Sequence, residues 1–250
     1  ATPGVMLYAS AAKGYKSGGF NTRPVNNLPN LGINQFAPET ALTYEAGIRS
    51  EWLGRRLRLN ATVFHTDYRD IQLRQQRFVD GNLTTLIENA ARARIRGIEV
   101  EAAARVSNRL TANFSYGHLD PRFLDVGTVP RLTLDSDFQR TPRHSFTASV
   151  DYWLPLGPNK LAVHGDYSYR SHEQFQLLAS PFDQPGYGLF GARVALRDGQ
   201  DHWSVALFGT NLTDQRYRTA GRGPGLQDVG IANSVIGLPR QLGVELRAGF

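Results

Sequence analysis

The sequence has no cysteine among its 250 residues. This absence excludes disulfide bonds, thiolate metal sites and cysteine nucleophiles, and it fits either a reducing compartment or an envelope protein that is stabilised by other means. No stretch approaches the roughly 18 consecutive apolar residues that a membrane-spanning helix needs. The longest apolar runs are short, as at 5–9, so a helical membrane protein is excluded.

Lysine is almost absent as well, although the chain is basic. Lys13, Lys16 and Lys160 are the three lysines among 28 basic residues, which leaves 25 arginines against 22 acidic residues and a formal net charge of +6. The fixed guanidinium fork of arginine suits carboxylates, phosphates and sulfates better than a flexible ammonium does. The excess of arginine therefore favours anionic partners.

Several segments of about ten residues alternate apolar and polar side chains, which is typical of a strand with one apolar and one polar face. The clearest is 241–250, where every even position is apolar and every odd position is polar or glycine. The same alternation occurs at 42–52, 98–104, 146–154 and 161–170, and in weaker form at 4–16, 57–78, 110–119, 187–197 and 203–217. The sequence thus predicts an all-β chain of ten strands.

The connections between these strands alternate in length. Short turns are expected at 53–56, 107–109, 156–160 and 198–202, and long connections at 17–39, 120–140, 174–186 and 218–238, with 80–82 the one tight turn on the long side. This alternation places the long connections at one edge of an antiparallel meander, the plan of an outer-membrane barrel with apolar side chains toward lipid and polar ones toward the lumen. A soluble β-sandwich is the alternative, but its strands are typically about five or six residues long and its loops lack this asymmetry.

Aromatic residues near the predicted strand ends favour the same plan. In an outer-membrane barrel such residues form girdles at the two membrane interfaces. Packing within the sheet is the simpler explanation for any single one of them. The residues concerned are Tyr8, Trp52, Tyr68, Tyr116, Trp153, Tyr187, Trp203 and Tyr217.

Seven motifs, in order along the chain, carry a more specific signal. They are 9–21, Pro38-Glu39 with 44–49, 60–64 with 67–72, 89–91 with 96–101, 142–145, 211–217 and 239–250. Together they resemble the barrels of TonB-dependent outer-membrane receptors, and the resemblance spans essentially the whole chain.

This resemblance implies which larger protein the chain is part of and what that protein does. Family barrels have 22 strands, preceded by a plug domain and a TonB-contacting box that are not visible here, so residues 1–250 are expected to be the C-terminal portion of such a barrel. The implied function is active uptake of a scarce nutrient across the outer membrane of a Gram-negative bacterium, most often a ferric siderophore or similar metal chelate, energised through TonB. The implied partners are outer-membrane lipid, the plug domain, the TonB complex, the barrel-assembly machinery and the small-molecule ligand, but not nucleic acid.

Two other functions fit a complete ten-stranded outer-membrane barrel, namely an omptin-like protease and a passive porin. His65 with Asp67 and His118 with Asp120 are the candidate acid–base pairs for the protease. The sequence contains no G-x-S-x-G, H-E-x-x-H or phosphate-loop pattern, so no enzyme activity, metal site or cofactor is expected. The receptor-like motifs disfavour the porin.

Arg92, Arg94 and Arg96 are the candidate ligand-binding residues, because they alternate along one face of a single strand. Guanidinium groups in a row suit an anionic ligand such as a carboxylate-bearing metal chelate. The alternative is that they are solvated lumen charges or partners of plug carboxylates. Arg49, Arg143, Arg170 and Arg193 are expected on other polar rows.

Phe250 is the last residue and completes the apolar row of the final alternating segment. A terminal aromatic in this position resembles the signal that the barrel-assembly machinery reads in outer-membrane barrels. The expected role is therefore in biogenesis, and the alternative is an ordinary lipid-facing anchor.

Overall fold

The structure is a computed structural model that describes residues 3–21, 35–79, 82–200, 202–222 and 233–249. These residues form one ten-stranded antiparallel sheet and two small two-stranded sheets. Among them, no helix is long and apolar enough to cross a membrane.

The large sheet is a meander in which each strand pairs with the next one along the chain. Its strands, in order, are β1 (Val5–Lys16), β4 (Glu39–Trp52), β5 (Leu57–Val79), β6 (Asn82–Arg105), β7 (Leu110–Asp125), β8 (His144–Leu156), β9 (Asn159–Arg170), β10 (Tyr187–Asp198), β11 (Trp203–Thr210) and β14 (Gln241–Ala248). The small sheets pair β2 (Gly19–Phe20) with β3 (Gln35–Phe36) and β12 (Arg218–Arg222) with β13 (Asn233–Ile236). The predicted all-β meander of ten long strands is therefore confirmed. The sheet is open, with β1 and β14 at its edges, and the 22-stranded barrel stays a prediction.

The period of two gives the large sheet two different faces. On β6, Ile98 and Val100 lie on one face and Glu99 and Glu101 on the other, and the cross-strand register continues each row onto the neighbouring strands. The apolar face carries Leu7, Ile48, Val63, Ile98, Val100, Phe114, Val150, Val163, Val194, Leu207 and Val244. The polar face carries Glu45, Arg49, Asn60, Thr62, Glu99, Glu101, Ser115, Thr147, Asp166, Ser168, Arg193 and Glu245.

Three glycines of the polar face lie beneath aromatic rings of the neighbouring strand. Tyr8 is paired with Gly47, Phe64 with Gly97 and Phe208 with Gly243. A Cβ atom at Gly97 would collide with the Phe64 ring and with the carbonyl oxygen of His118. The glycines in the 44–49 and 96–101 motifs are therefore required by close packing of a ring against the backbone.

Three strand ends differ from the prediction. β6 begins at Asn82 rather than near 98, and β7 continues to Asp125 because residues 120–125 pair with 92–96 of β6. β11 ends at Thr210 instead of 217, since the Asn211 side chain replaces the ladder with local bonds. Its Nδ2 donates to the carbonyl oxygens of Gln215 (3.0 Å) and Leu238 (3.1 Å), and its Oδ1 accepts from the Gln215 amide (2.8 Å). Asparagine commonly ends regular structure in this way.

The main hydrophobic cluster lies on the polar face near the long connections, not at the centre of the sheet. The connection after β7 folds back so that Val129 and Leu132 pack against Ile71, Ala91, Ala93 and Phe123. The ring of Phe138 stacks on that of Phe123 at 4.2 Å. This connection therefore covers the long-connection end of β5, β6 and β7.

The prediction of interfacial girdles is wrong for Trp153 and for three of the tyrosines. Tyr8, Tyr68, Trp153 and Tyr187 lie on the polar face, by their positions in the ladders. The hydroxyl of Tyr8 is bonded to Oγ1 of Thr62 (2.8 Å) and that of Tyr68 to Glu39. Trp52 and Trp203 lie on the apolar face at the short-turn end and are exposed, as a girdle requires.

Candidate functional site

Three hollows lie on the polar face of the sheet. The inner hollow, of about 810 Å³, lies beside the short-turn end of β1, β4 and β5. The outer hollow, of about 760 Å³, lies at the long-connection end of β6 to β10. A smaller hollow of about 410 Å³ lies between them. A ligand or protein segment that approaches the polar face of this sheet would meet these hollows first.

The inner hollow is acidic. Glu51 is paired with Arg58 (3.2 Å), and Glu101 accepts a hydrogen bond from Nδ2 of Asn60 (3.3 Å). Glu45 and Glu99 also line the hollow and form no ion pair with any residue that the structure describes. Arg49, which lies over the ring of Tyr8 at 5.4 Å, lines the same hollow. The two carboxylates, one on β4 and one on β6, favour a cationic or hydrogen-bond-donating partner.

The outer hollow combines aromatic rings with a free guanidinium group. The rings of Tyr187 and Tyr217 stack at 4.8 Å with 14° between their planes, and both line the hollow. Arg170 lines it as well, is exposed, and forms no ion pair within the described part of the chain. Glu99 and Glu101 also line this hollow. The unpaired guanidinium therefore suits an anionic group of a ligand, the stacked rings suit a planar group, and the carboxylates suit a cationic or hydrogen-bond-donating group.

Buried polar contacts hold the connections around the outer hollow. The carboxylate of Asp183 accepts hydrogen bonds from the amides of Phe175 (3.1 Å) and Ser180 (2.7 Å). Oε1 of Gln184 accepts from the amide of Arg218 (2.6 Å), which joins the connection before β10 to β12. Arg140 lies over the ring of Phe175 at 4.8 Å and donates to the carbonyl oxygen of Thr219 (2.9 Å). Three connections are therefore fixed to one another, so the hollow is preorganised.

A second polar contact fixes the ends of β1, β4 and β5. Glu39 is 6% exposed, and its carboxylate accepts from the Tyr68 hydroxyl (2.7 Å) and the Gln72 amide (2.7 Å), with Nζ of Lys16 at 3.7 Å. Tyr68 lies beyond the apolar band, where burial and the hydrogen bond to Glu39 raise its pKa to about 12. The phenol therefore keeps its proton and remains a donor.

The structure places the predicted arginines away from both hollows. Arg92, Arg94 and Arg96 share the face of Ile98, so they continue the apolar face toward the long connections. Nε of Arg96 donates to Nδ1 of His65 (3.3 Å), and Nε of Arg94 lies 3.9 Å from Oδ1 of Asp67. Contact of these arginines with a transported ligand stays a prediction.

The arginines that were expected on other polar rows differ in whether they form ion pairs. Arg49 and Arg193 lie on the polar face with Arg170, and Nη2 of Arg193 is 2.7 Å from Oε1 of Glu245. Arg143 lies just before β8 and is paired with Asp137 (3.2 Å). Of the arginines considered from the sequence, Arg170 is therefore the one that the fold brings unpaired into the outer hollow.

The two His-x-Asp pairs lie on the apolar face, outside both hollows. Nε2 of His65 is 3.6 Å from Asp67, whereas Asp120 is paired with Arg122 (3.1 Å) and the ring of His118 lies 4.7 Å from that of His144. Within the described ranges, no group of three or more ligating side chains could hold a metal ion. Phe250 lies outside the described residues, and its assembly role stays a prediction.

Sequence reasoning missed three of the residues that build the rim of the outer hollow and assigned the fourth, Tyr217, to an interfacial girdle. Arg140, Asp183, Gln184 and Tyr217 come from three separate connections, and no spacing in the sequence relates them. The sequence did single out Glu39, because it lies in the Pro38-Glu39 motif. Its partners Tyr68 and Gln72 are identified only by the fold.

Comparisons with known proteins agree with this geometry. The family described as "TonB dependent receptor-like, beta-barrel" matches residues 1–212. The ferric-pyoverdine M114 receptor PbuA of Pseudomonas sp. (strain M114) is 27% identical over 85% of this chain and 25% of its own length. The pesticin receptor of Yersinia pestis is 26% identical over 98% of this chain and 34% of its own.

A solved structure shows the same fold. The ferric yersiniabactin uptake receptor FyuA from Yersinia pestis superposes with a TM-score of 0.78 at 21% identity, covering 100% of this chain and 35% of that one. The chain therefore spans about a quarter to a third of the length of these relatives.

Proposed function

The chain belongs to the family of TonB-dependent receptor β-barrels, which are outer-membrane proteins of Gram-negative bacteria, and on that premise we propose that it forms part of the wall of a nutrient-uptake receptor. The proposed cargo is a ferric siderophore or a similar metal chelate, and the proposed energy source is the TonB complex. The names of a ferric-pyoverdine receptor and a ferric yersiniabactin uptake receptor among its relatives support this class of cargo. No enzyme activity is proposed.

The chain is proposed to be the C-terminal portion of a longer barrel. Its sheet is open, and β1 and β14 each have one neighbouring strand among the described residues. Unpaired strand edges in lipid leave backbone groups without hydrogen bonds, so both edges call for further strands. A plug domain inside that barrel would face the polar side of this sheet, where Glu45 and Glu99 offer unpaired carboxylates to cationic side chains.

The outer hollow is the observation that carries the proposed function. It opens on the polar face at the end of the long connections, which in outer-membrane barrels lie outside the cell. A metal chelate brings its own donor atoms, so its receptor needs no protein ligands for the metal. Arg170 and the Tyr187–Tyr217 stack supply charge and planar surface for the organic part of the chelate.

Uptake of radioactive iron tests this function. The full receptor would be expressed in cells that lack their own ferric-siderophore receptors, and ⁵⁵Fe loaded on pyoverdine or yersiniabactin would be supplied with and without a functional TonB complex. Accumulation that requires both receptor and TonB is expected for at least one ferric chelate of a wider panel. Absence of TonB-dependent accumulation across the panel would refute the proposal.

The substitution Arg170→Gln tests whether the chelate binds in the outer hollow. Because a charge-assisted hydrogen bond contributes about 1.5–3 kcal/mol, binding of the chelate should weaken roughly tenfold or more. Arg197→Gln is the matched control, since Arg197 lies on the same polar face but at the short-turn end, away from the outer hollow. Equal effects of the two substitutions would remove the outer hollow from the binding site.

A further inference from the structure

Basic side chains are distributed unequally between the two ends of the apolar face. At the short-turn end, the strand arginines and lysines that the structure describes lie on the polar face: Arg58, Arg105, Lys160, Arg197 and Arg247. At the long-connection end, six lie on the apolar face: Lys13, Arg69, Arg92, Arg94, Arg96 and Arg122. A general need for solubility would place basic side chains on the apolar face at both ends, because both ends border the same apolar band. It therefore does not explain the difference.

Four of these residues lie together on β6 and β7, and we call Arg92, Arg94, Arg96 and Arg122 the basic strip. Arg94 lies directly opposite Arg122 in the ladder, on the same face. Like charges in directly opposed positions destabilise a sheet pair. An anion between the two guanidinium groups would remove this repulsion.

Three carboxylates lie beside the four arginines of the basic strip and leave part of its charge uncompensated. Asp125 lies directly opposite Arg92 in the ladder. Asp120 lies directly opposite Arg96, but both of its oxygens accept from Nε of Arg122 (3.2 and 3.1 Å). The described partner of Arg96 is the imidazole of His65, not a carboxylate. Nε of Arg94 is buried without a hydrogen-bond partner in the described residues, and Asp67 lies 3.9 Å from it.

The height of the basic strip matches a membrane interface. Two residues along a strand cover about 7 Å, and a tilt of roughly 35–45° reduces this to about 5 Å of height. Arg96 therefore lies about 5 Å above Ile98, where the unbroken apolar row on the apolar face of β6 ends, and the polar interface of a bilayer is roughly 5–8 Å deep. Arg94 and Arg122, about 10 Å above Ile98 by the same geometry, lie just outside that layer and can reach it with their long side chains, and Arg92 lies farther out.

We propose that the basic strip binds the phosphate groups of a lipid in the leaflet on the long-connection side of the membrane. The guanidinium fork matches phosphate oxygens in pairs, and the apolar band directly below would hold the acyl chains of the same molecule. This proposal uses the orientation that family membership gives to the two faces, and it goes beyond the proposed uptake function. It gives the arginines predicted from the sequence a partner outside the barrel instead of a ligand inside it.

Native mass spectrometry of the full receptor in detergent micelles tests the proposal, with diphosphorylated lipid A and its dephosphorylated form as probes. The wild type should bind the phosphorylated lipid more tightly. The variant Arg94→Gln/Arg96→Gln/Arg122→Gln should bind it about tenfold more weakly or worse, because charge-assisted bonds are lost. Among single Gln variants, the loss should decrease from Arg96 to Arg94 to Arg92.

The matched control removes the same number of arginines from the polar face, as Arg49→Gln/Arg197→Gln/Arg247→Gln, and should bind the phosphorylated lipid like the wild type. Equal losses in both triple variants, no loss in the basic-strip variant, or no preference of the wild type for the phosphorylated lipid would overturn the proposal. Displacement of the lipid by inorganic phosphate alone would show a simple phosphate site and would also overturn it. Heat-modifiable migration in gels verifies that each variant is folded. If the triple variant does not fold, the single variant Arg96→Gln, whose side chain is exposed, replaces it in the binding measurement.

Ferric-chelate binding, measured in parallel, separates this proposal from the uptake function. If the basic strip binds lipid, the triple variant should bind the chelate like the wild type. A wild type that binds the phosphorylated lipid but transports no chelate would refute the uptake function alone.

Discussion

The apolar and polar faces of the sheet come from the same ten strands, yet different interactions govern them. On the apolar face, large side chains such as Leu242 and Leu246 are 73% and 75% exposed and have no polar partners. On the polar face, hydrogen bonds, stacked rings and folded-back connections surround the hollows. The apolar face thus fits a surrounding hydrocarbon, whereas the polar face depends on specific contacts within the protein. The same kind of substitution should therefore have different consequences on the two faces.

A charge placed in the apolar band should cause the largest loss. Ala102→Lys puts an ammonium group on the apolar face of β6, about 10 Å below Ile98 and so near the middle of the band, where lipid offers it no hydrogen bonds. The expected loss in the free energy of unfolding of the full receptor is about 2–4 kcal/mol near the bilayer midplane. Guanidinium unfolding in lipid vesicles measures this loss.

Ala103→Lys is the control on the polar face of the same strand, beside the hollow of about 410 Å³. This lysine would point toward water and polar groups, so we expect little change in unfolding. Equal losses for the two variants would contradict the assignment of the faces.

Gly97→Val should cause the next largest loss, through overpacking on the polar face. The new side chain would occupy the place of the Phe64 ring and approach the backbone of β7. Inserting atoms into a packed site typically costs about 1–3 kcal/mol. Gly165→Val is the matched control, because no atom lies within 4 Å of a Cβ atom built at Gly165 on the apolar face. If both variants unfold at the same denaturant concentration, ring-over-glycine packing contributes nothing.

The two faces also differ in how far the sequence predicts them. The period of two is local, so it indicated β4, β8, β9 and β14 and the apolar rows on them. It also predicts the face on which Arg94 lies, because Arg94 is an even number of residues away from Ile98 and Val100. The expectation that the arginines form a polar row rested on their charge alone and ignored this spacing. Counting positions from the nearest apolar residue would have placed them on the apolar face.

Contacts of the polar face near the long connections were beyond prediction for a physical reason. They join residues that are far apart in the chain, as Arg140 is from Thr219 and Arg218 from Gln184. A single sequence contains no periodicity that relates such pairs. The extension of β7 to Asp125 escaped prediction in the same way, because pairing with β6 decides it.

Asn211→Ala should have a moderate and local effect. It removes two hydrogen bonds donated by Nδ2 and one accepted by Oδ1, at the turn where β11 ends. Because each intramolecular hydrogen bond contributes about 0.5–1.5 kcal/mol, a loss of roughly 1–3 kcal/mol is expected. Hydrogen exchange of the backbone amides at 212–217 should accelerate more than exchange in β9. Uniform acceleration would mean that the turn is not an independent unit.

Tyr68→Phe should differ from the other substitutions in its pH dependence more than in its size. Burial and the bond to Glu39 raise the pKa of Tyr68 to about 12 from an unfolded value near 10. A raised pKa stabilises the folded state fully below pH 10, and this contribution is lost as the pH rises through about 12, because the unfolded chain gives up the proton first. In the wild type, stability should therefore fall between pH 10 and 12 by an amount that the variant lacks. Tyr44→Phe is the control, since Tyr44 is exposed on the apolar face and no hydrogen bond joins its hydroxyl to a described residue. Identical pH profiles for wild type and Tyr68→Phe would show that the Glu39 contact does not hold the phenol in its protonated form.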